Sequence, residues 1–404
     1  MKKILALLLA MVMVFALAAC GGGNNAPAAE APAEAPAEAP AEAPAEAPAE
    51  APAEAPAEPV GDMSVAMITD YGDITDQSFN QTTYEACKAY ADETGVDFKY
   101  YKPASDSDAD RVTMIETAID EGYNVIVMPG YAFGAAIKET ADTYDDVTFI
   151  ALDVGAGDLG EDYVVPANLY CATYQEELCG YMAGYAAVKL GYKNLGFLGG
   201  MAVPAVVRYG YGFVQGADAA AAELGLTDVT VNYVYGGQFY GDADITAFMD
   251  TWYGGGTEIV FACGGGIYSS AAEAAAKVGG KVIGVDVDQA ATIDGTYGDG
   301  MTVTSAMKGL APTVQTMLGV VAAGDFASYG GQIDNLGLVS DVPADNYVQL
   351  AGSTQFDDNF TEADYEALVA AMFAGEITVD NNTDAAAADF ATVITVNDQG
   401  SVKG

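Results

Sequence analysis

Beyond residue 60 the chain alternates between short apolar runs and longer segments whose apolar positions recur at helical spacing. The short runs predict strands at 64–69, 97–101, 124–128 and 148–152, and the longer segments predict helices at 81–94, 108–121 and 133–144. Val112, Ile115 and Ile119 form one apolar stripe on the second of these helices. Val125-Ile126-Val127-Met128 is apolar throughout rather than alternating, as in a strand covered on both faces. A second series of similar size follows, with helices at 174–189, 206–224, 242–253 and 268–277 and strands at 194–198, 229–235, 258–262 and 281–285. Later segments predict a strand at 301–306, a helix at 309–323, a Gly-rich β-type region at 330–340, a helix at 361–374 and a closing strand at 391–396. Repeated strand–helix alternation predicts parallel, doubly wound sheets. The expected fold class is therefore α/β, with two doubly wound lobes, a hinge and a cleft between them. Residues 61–170 are assigned to lobe 1 and 171–295 to lobe 2. Residues 296–404 are assigned to a return to lobe 1, hinge crossings and a C-terminal tail.

Open α/β sheets bind ligands beyond the carboxyl ends of their strands. That rule selects residues 70–79, 129–131, Asp153, Gly199, Gly200, 236–239, 264–266 and 286–289. The first of these loops, Asp70-Tyr71-Gly72-Asp73-Ile74-Thr75-Asp76-Gln77-Ser78-Phe79-Asn80, joins the first strand to the first helix. Asp76, Ser78 and Asn80 read as residues that cap the helix and fix the loop. Asp70 reads as a polar contact and Phe79 as a stacking platform. Asp70, Asp153, Asp286 and Asp288 all stand at strand ends. Each alone suits a cap on the following turn, whereas several together suit a ligand with vicinal hydroxyls, which a carboxylate accepts in pairs. Phe79, Tyr131, Phe239 and Tyr240 lie in the same loops, where two rings can sandwich a flat ligand, although each also suits packing between lobes. Lys308 stands out because Lys is scarce; it suits a donor to a ligand or a partner for a cleft Asp. Gly264, Gly265 and Gly266 allow backbone to approach a ligand closely.

Charge narrows the function. The chain carries a net −44, with 14 Lys and Arg and no His. It is repelled by nucleic acid and by anionic lipid, so its expected partners are neutral or cationic small molecules, or protein. Without His no Ser/His/Asp or Cys/His set can be built, and no Cys or carboxylate spacing suggests a metal. Asp106-Ser107-Asp108-Ala109-Asp110 begins like a calcium loop but continues with Arg111 and Thr117 where Gly and Glu are required. Gly196-Phe197-Leu198-Gly199-Gly200 lacks the full dinucleotide motif. The chain reads as a binding protein without cofactor, not as an enzyme.

The N-terminus stands apart from the fold. Lys2 and Lys3 precede an apolar stretch at 4–18 that is short for a membrane span, and Leu17-Ala18-Ala19-Cys20 resembles a bacterial lipobox. The expectation is a signal peptide over 1–19 and lipidation of Cys20, anchoring the protein at the extracytoplasmic face of a cell membrane. After Cys20 come Gly-Gly-Gly-Asn-Asn and then a repeat of Ala-Pro-Ala-Glu up to residue 60, which blocks helix and reads as an extended acidic spacer reaching roughly 120 Å at most. These first 60 residues hold two Lys and eight Glu, so residues 61–404 retain −38 of the charge. The remaining Cys87, Cys171, Cys179 and Cys263 read as buried or free thiols, with Cys171 and Cys179 near one helix start.

Several motifs, in order, resemble the basic membrane protein family of substrate-binding lipoproteins, whose purine nucleoside receptor type serves ABC importers. They are Thr69-Asp70 with Asp76-Gln77-Ser78-Phe79-Asn80-Gln81, then Glu177-Leu178-Cys179-Gly180-Tyr181-Met182-Ala183-Gly184-Tyr185. Gly196-Phe197-Leu198-Gly199-Gly200, Pro204, Arg208-Tyr209, Gly212-Phe213 and Gly216-Ala217 follow. The last are Gly284-Val285-Asp286-Val287-Asp288-Gln289 and Thr304-Ser305-Ala306-Met307-Lys308. The resemblance covers about residues 63–325. It implies a type I periplasmic-binding-protein fold, capture of a nucleoside, delivery to an ABC transporter permease, and a monomer. Carried over, Phe79 and Phe239 stack on the base, with Tyr240 as the alternative to Phe239. Asp70 faces the base edge with Asn80 beside it, Asp153 and Asp286 hold the sugar, Lys308 donates nearby, and Gly264 lines the site. Tyr71 departs from the family's Asn or Gly at that position, which leaves the base open. A sugar or other small metabolite on the same fold, or a sensory ectodomain without transport, are the other readings, and no role is assigned beyond residue 326.

Overall fold

The computed structural model describes residues 63–160 and 162–403. The expected signal peptide, Cys20 and spacer lie outside them.

Two sheets form. The first contains β1 (Ser64–Ile68), β2 (Asp97–Tyr101), β3 (Val125–Pro129), β4 (Thr148–Leu152), β5 (Leu169–Tyr174) and, from far along the chain, β11 (Gln332–Leu336). Its order is β11-β5-β4-β3-β1-β2, parallel throughout. Helices α2 (Asp108–Asp120) and α3 (Gly134–Thr140) cover one face, and α1 (Phe79–Thr94) packs with α10 (Leu310–Ala323) on the other. The pleat explains why β1 is apolar at every position. Ala66 and Ile68 pack with Ile115, Phe133 and Ile137, while Val65 and Met67 belong with Cys87 and Val314.

The second sheet contains β6 (Asn194–Gly199), β7 (Thr230–Tyr235), β8 (Ile259–Cys263), β9 (Lys281–Asp286), β10 (Thr302–Lys308), β12 (Val348–Leu350) and β13 (Thr395–Ser401). Its order is β12-β10-β9-β8-β6-β7-β13, and β12 alone runs antiparallel. Helices α5 (Glu176–Lys189) and α6 (Pro204–Leu224) cross on one face; α7 (Ala243–Gly254), α8 (Tyr268–Ala276) and α9 (Ala290–Tyr297) cover the other. The α5–α6 crossing is backbone against backbone. A methyl group on Gly180 would stand 2.2 Å from the Tyr209 carbonyl oxygen, and one on Gly184 2.0 Å from that of Phe213. Gly212 and Gly216 meet the carbonyls of Glu177 and Tyr181 as closely from the other side.

Strand–helix alternation and parallel sheets are as expected, with several corrections, among them that the closing strand expected at 391–396 lies at Thr395–Ser401. The strand predicted at 301–306 does not return to lobe 1; as β10 it extends the second sheet beside β9. Only α10 and β11 return, after which β12, α11 (Glu362–Phe373) and β13 rejoin lobe 2. An apolar run signals a strand but carries no address for its sheet. The sequence pattern does not separate β5, because its Leu169-Tyr170-Cys171-Ala172-Thr173-Tyr174 runs straight into α5 without turn residues, so the boundary between lobes expected at 170 falls inside a strand of the first sheet. Cys171 therefore lies in a strand and Cys179 in the next helix; all four cysteines from Cys87 on are buried and free. The helix expected at 133–144 is a 3-10 turn, Tyr131–Phe133, followed by the shorter α3, and α9 and β12 were not foreseen. The chain passes between lobes after β5, after β10 and after β11. No helix among the described residues is long and apolar enough to cross a membrane.

Candidate functional site

The carboxyl ends of both sheets face one cavity of about 920 Å³. That is at the upper end of the several hundred Å³ usual for small-molecule sites. Asp70, Phe79, Asn80, Asp153, Phe239, Gly264, Asp286 and Lys308 all line it, together with Tyr131, Arg208, Tyr209 and Tyr240. Asp288 does not. Its carboxylate accepts from Ala290 N at 3.1 Å and Ser353 Oγ at 2.6 Å, so it holds the turn before α9.

The loop after β1 is built by two carboxylates. Asp70 Oδ1 accepts from the backbone N–H of Tyr71 and Gly72, each at 2.6 Å, and its Oδ2 lies toward Gly130. Asp76 caps α1, accepting from the N–H of Ser78, Asn80 and Gln81 at 2.9, 2.9 and 3.1 Å. It also accepts from Asn80 Nδ2, while Asn80 Oδ1 accepts from Asp70 N at 3.4 Å. Asn80 thus lines the cavity with its amide engaged in the loop. Burial pushes both Asp70 and Asp76 carboxyls up, against the pull of these donors. Phe79 becomes the first helical residue, and its ring is fixed at the cavity wall by the cap behind it. Ser78 does not cap, contrary to expectation. Its hydroxyl donates across the cleft to Asp286 Oδ2 at 2.6 Å.

The opposite wall comes from lobe 2. Phe239 sits in a seat of glycines: a methyl group on Gly200 would stand 2.3 Å from its ring, and one on Gly264 2.8 Å. Gly264 and Gly265 hold positive φ of 149° and 50°, which permits that approach, and Gly266 N donates to the Phe239 carbonyl at 2.9 Å. The two glycine runs noted in the sequence therefore make room for an aromatic ring. Tyr240, the alternative second ring, is 60% exposed.

At the base of the cavity lies a buried ion cluster. Lys308 Nζ donates to Asp153 Oδ2 at 2.5 Å and to Glu176 Oε1 at 3.4 Å, and stands 3.7 Å from Asp286 Oδ1. It also lies 4.9, 5.6 and 5.7 Å from the ring centres of Phe79, Tyr174 and Tyr209. Arg208 Nε donates to Glu176 Oε2 at 2.7 Å and lies 4.0 Å from Glu177. Burial would lower the Lys308 pKa, but the carboxylates of Asp153, Asp286 and Glu176 outweigh it and hold the group well above its usual value. Burial lifts Asp153 to about 6 despite Lys308, and Glu177 to about 7. Asp153 Oδ1 is buried with no protein hydrogen-bond partner, so it is free to accept from a ligand. Among the described residues, Gln77, Asp153 and Asp286 are the non-glycine residues with positive φ (57°, 55° and 65°), and all three sit at this interlobe surface.

The loops singled out by the sequence line one cavity, but the sequence did not mark Glu176, Arg208, Tyr174 and Tyr209 as parts of the cluster. One signal was available. The chain has only two Arg, and both are engaged at this end of the fold, Arg111 by donating to the Asp70 carbonyl at 3.1 Å.

Residues 63–359 match the family described as ABC transporter substrate-binding protein PnrA-like. The chain belongs to this family. A curated relative, the ABC transporter nucleoside-binding protein BmpA of Lactococcus lactis, is 29% identical over 241 residues, covering 56% of this chain and 65% of its own length. The CD4+ T-cell-stimulating antigen of Listeria monocytogenes is 28% identical over 299 residues, covering 69% of this chain and 80% of its own length. Among solved structures, an ABC transporter solute-binding protein from Aeropyrum pernix superposes with a TM-score of 0.61 at 20% identity, over 81% of this chain and 90% of that one. The fold is accordingly that of the periplasmic solute-binding proteins, as expected from the motifs, and the family is one of substrate-binding proteins.

Proposed function

We propose that this chain captures a nucleoside, with a purine base, between its lobes and hands it to an ABC import permease from a lipid anchor at Cys20 on the extracytoplasmic face. The observation that carries the reading is the pairing of Phe79 from lobe 1 and Phe239 from lobe 2 on one cavity whose base offers Asp153 Oδ1 unpartnered. A flat base suits the rings. Ribose hydroxyls suit Asp153, with Asp286 beside it, and Asp70 Oδ2 suits the base edge. Lys308 keeps Asp153 oriented rather than binding the ligand first, because three carboxylates already surround its ammonium group. Ligand contacts with both lobes favour the closed arrangement. The name of the Lactococcus relative agrees with this class of ligand.

Titration calorimetry with guanosine, inosine and adenosine tests the reading; binding of at least one at micromolar affinity or tighter is expected, and failure of all three overturns it. Mass spectrometry of ligand released from the purified protein identifies the natural occupant, and recovery of a free sugar would replace the nucleoside. Incorporation of labelled fatty acid that is lost in Cys20→Ala checks the anchor.

A further inference from the structure

The family match ends at residue 359, yet the described residues continue along lobe 2 and bring Lys403 beside the loop that carries Phe239. The path is held by specific contacts. Gln215 on α6 exchanges hydrogen bonds with the backbone of Asp380, and Tyr211 OH donates to the Ala385 carbonyl at 2.6 Å. Asp218, on the same helix, accepts from the N–H of Thr392, Val393 and Ile394 at 2.8, 2.8 and 3.1 Å. β13 then pairs in parallel with β7, and Val402 N donates to the Tyr235 carbonyl at 2.8 Å, at the last residue of that strand. The next residue reaches the loop itself. Lys403 packs its backbone and Cβ against Gly237, which has a φ of 82°. Its ammonium donates to Gln238 Oε1 at 2.8 Å and pairs with Asp242. Gln238 in turn donates to the Tyr240 carbonyl at 2.8 Å and to Asp242 Oδ2 at 3.0 Å. Lys403 therefore grips residues on both sides of Phe239.

We infer that the C-terminal segment is part of the binding site at one remove, with Lys403 as a positioning residue that holds the 236–242 loop so that Phe239 stays in its glycine seat. The inference rests on Phe239 being a ligand wall, as proposed above. A single exposed ion pair contributes little to stability. Lys403 acts instead by joining three points of one loop, so its loss loosens the loop without unfolding the lobe.

The chain supplies its own control. Trp252, its only tryptophan, donates from Nε1 to Gln399 Oε1 at 3.2 Å, so its emission reports whether β13 remains seated. The test compares wild type, Lys403→Ala and Lys403→Arg in the ligand-free protein by amide hydrogen exchange, then titrates each with guanosine, inosine and adenosine. Lys403→Ala is expected to speed exchange across 236–242 with unchanged Trp252 emission, and to weaken binding about tenfold, in keeping with loss of charged hydrogen bonds. Lys403→Arg is expected to restore both. Unchanged exchange in 236–242, or faster exchange with unchanged affinity, overturns the inference. If wild type binds none of the nucleosides, the nucleoside reading falls, while the exchange comparison still decides whether the tail braces the loop.

Discussion

Lys308 and Arg208 face Asp153, Glu176, Glu177 and Asp286, so at the base of the cavity acids outnumber bases. Burial raises Asp153 to about 6 and Glu177 to about 7, both above the usual carboxylate values of roughly 4. The folded protein therefore binds more protons than the unfolded chain between about pH 4 and 7, and these two groups lower stability as pH rises through that window. On the reading proposed above, ligand binding runs the other way, because a carboxylate at Asp153 accepts hydroxyl hydrogens fully only when ionised. Melting temperature is expected to gain from these groups as pH falls from about 7 to 5, while calorimetric affinity weakens below about pH 6. Phe79→Ala removes one of the two rings proposed to stack on the ligand without touching the cap made by Asp76, and affinity is expected to drop by about 1–3 kcal/mol.

At the scale of elements, the closest packing in lobe 2 serves the site. Glu176 opens α5 and Arg208 lies in the second turn of α6, and the glycines of the two helices bring those starts together. Gly184→Ala would place a methyl group 2.0 Å from the Phe213 carbonyl oxygen, and the helices must separate. Thermal or denaturant unfolding is expected to show a loss on the order of 1–3 kcal/mol, with weaker binding as Glu176 and Arg208 move apart. Much at this scale was legible. The first strands and helices fall close to where their apolar patterns place them, since both faces of each parallel strand are covered locally by the helices that flank it in sequence. Strand β5 escaped because no turn residue separates it from α5. The placement of β10, β12 and β13 escaped because pairing among distant strands leaves no local trace.

For the whole molecule, the lobes are joined at the cleft by side chains as well as by the three chain crossings. Ser78 donates to Asp286, Gln289 Nε2 donates to the Gln77 carbonyl at 3.0 Å, and Thr292 Oγ1 donates to Gln77 Oε1 at 2.9 Å. These bonds exist only when the lobes meet, so they bias the open–closed equilibrium without contacting the centre of the cavity. Ser78→Ala is expected to enlarge the radius of gyration of the ligand-free protein in solution scattering and to weaken ligand affinity by up to about tenfold, since a buried hydrogen bond to a carboxylate contributes at least about 1.5 kcal/mol. An unchanged scattering profile and affinity would show that Ser78 does not hold the lobes.

Local order along the chain was enough for the α/β class, two lobes, and a cleft lined by the residues that follow strands. Strand and helix periods are properties of neighbouring residues, and ligand loops follow from strand direction. The division of labour within that cleft is different in kind. Asp70 and Phe79 both line the cavity, yet Ser78 turned from cap to interlobe bond, Asp288 left the site, and Lys308 joined Asp153, Glu176 and Asp286 in one cluster. Each of those assignments depends on a partner more than a hundred residues away, or on competition between hydrogen bonds, and neither is written in the spacing of a motif. The same holds for Lys403, which meets the Phe239 loop only because β13 closes the edge of a sheet begun some two hundred residues earlier.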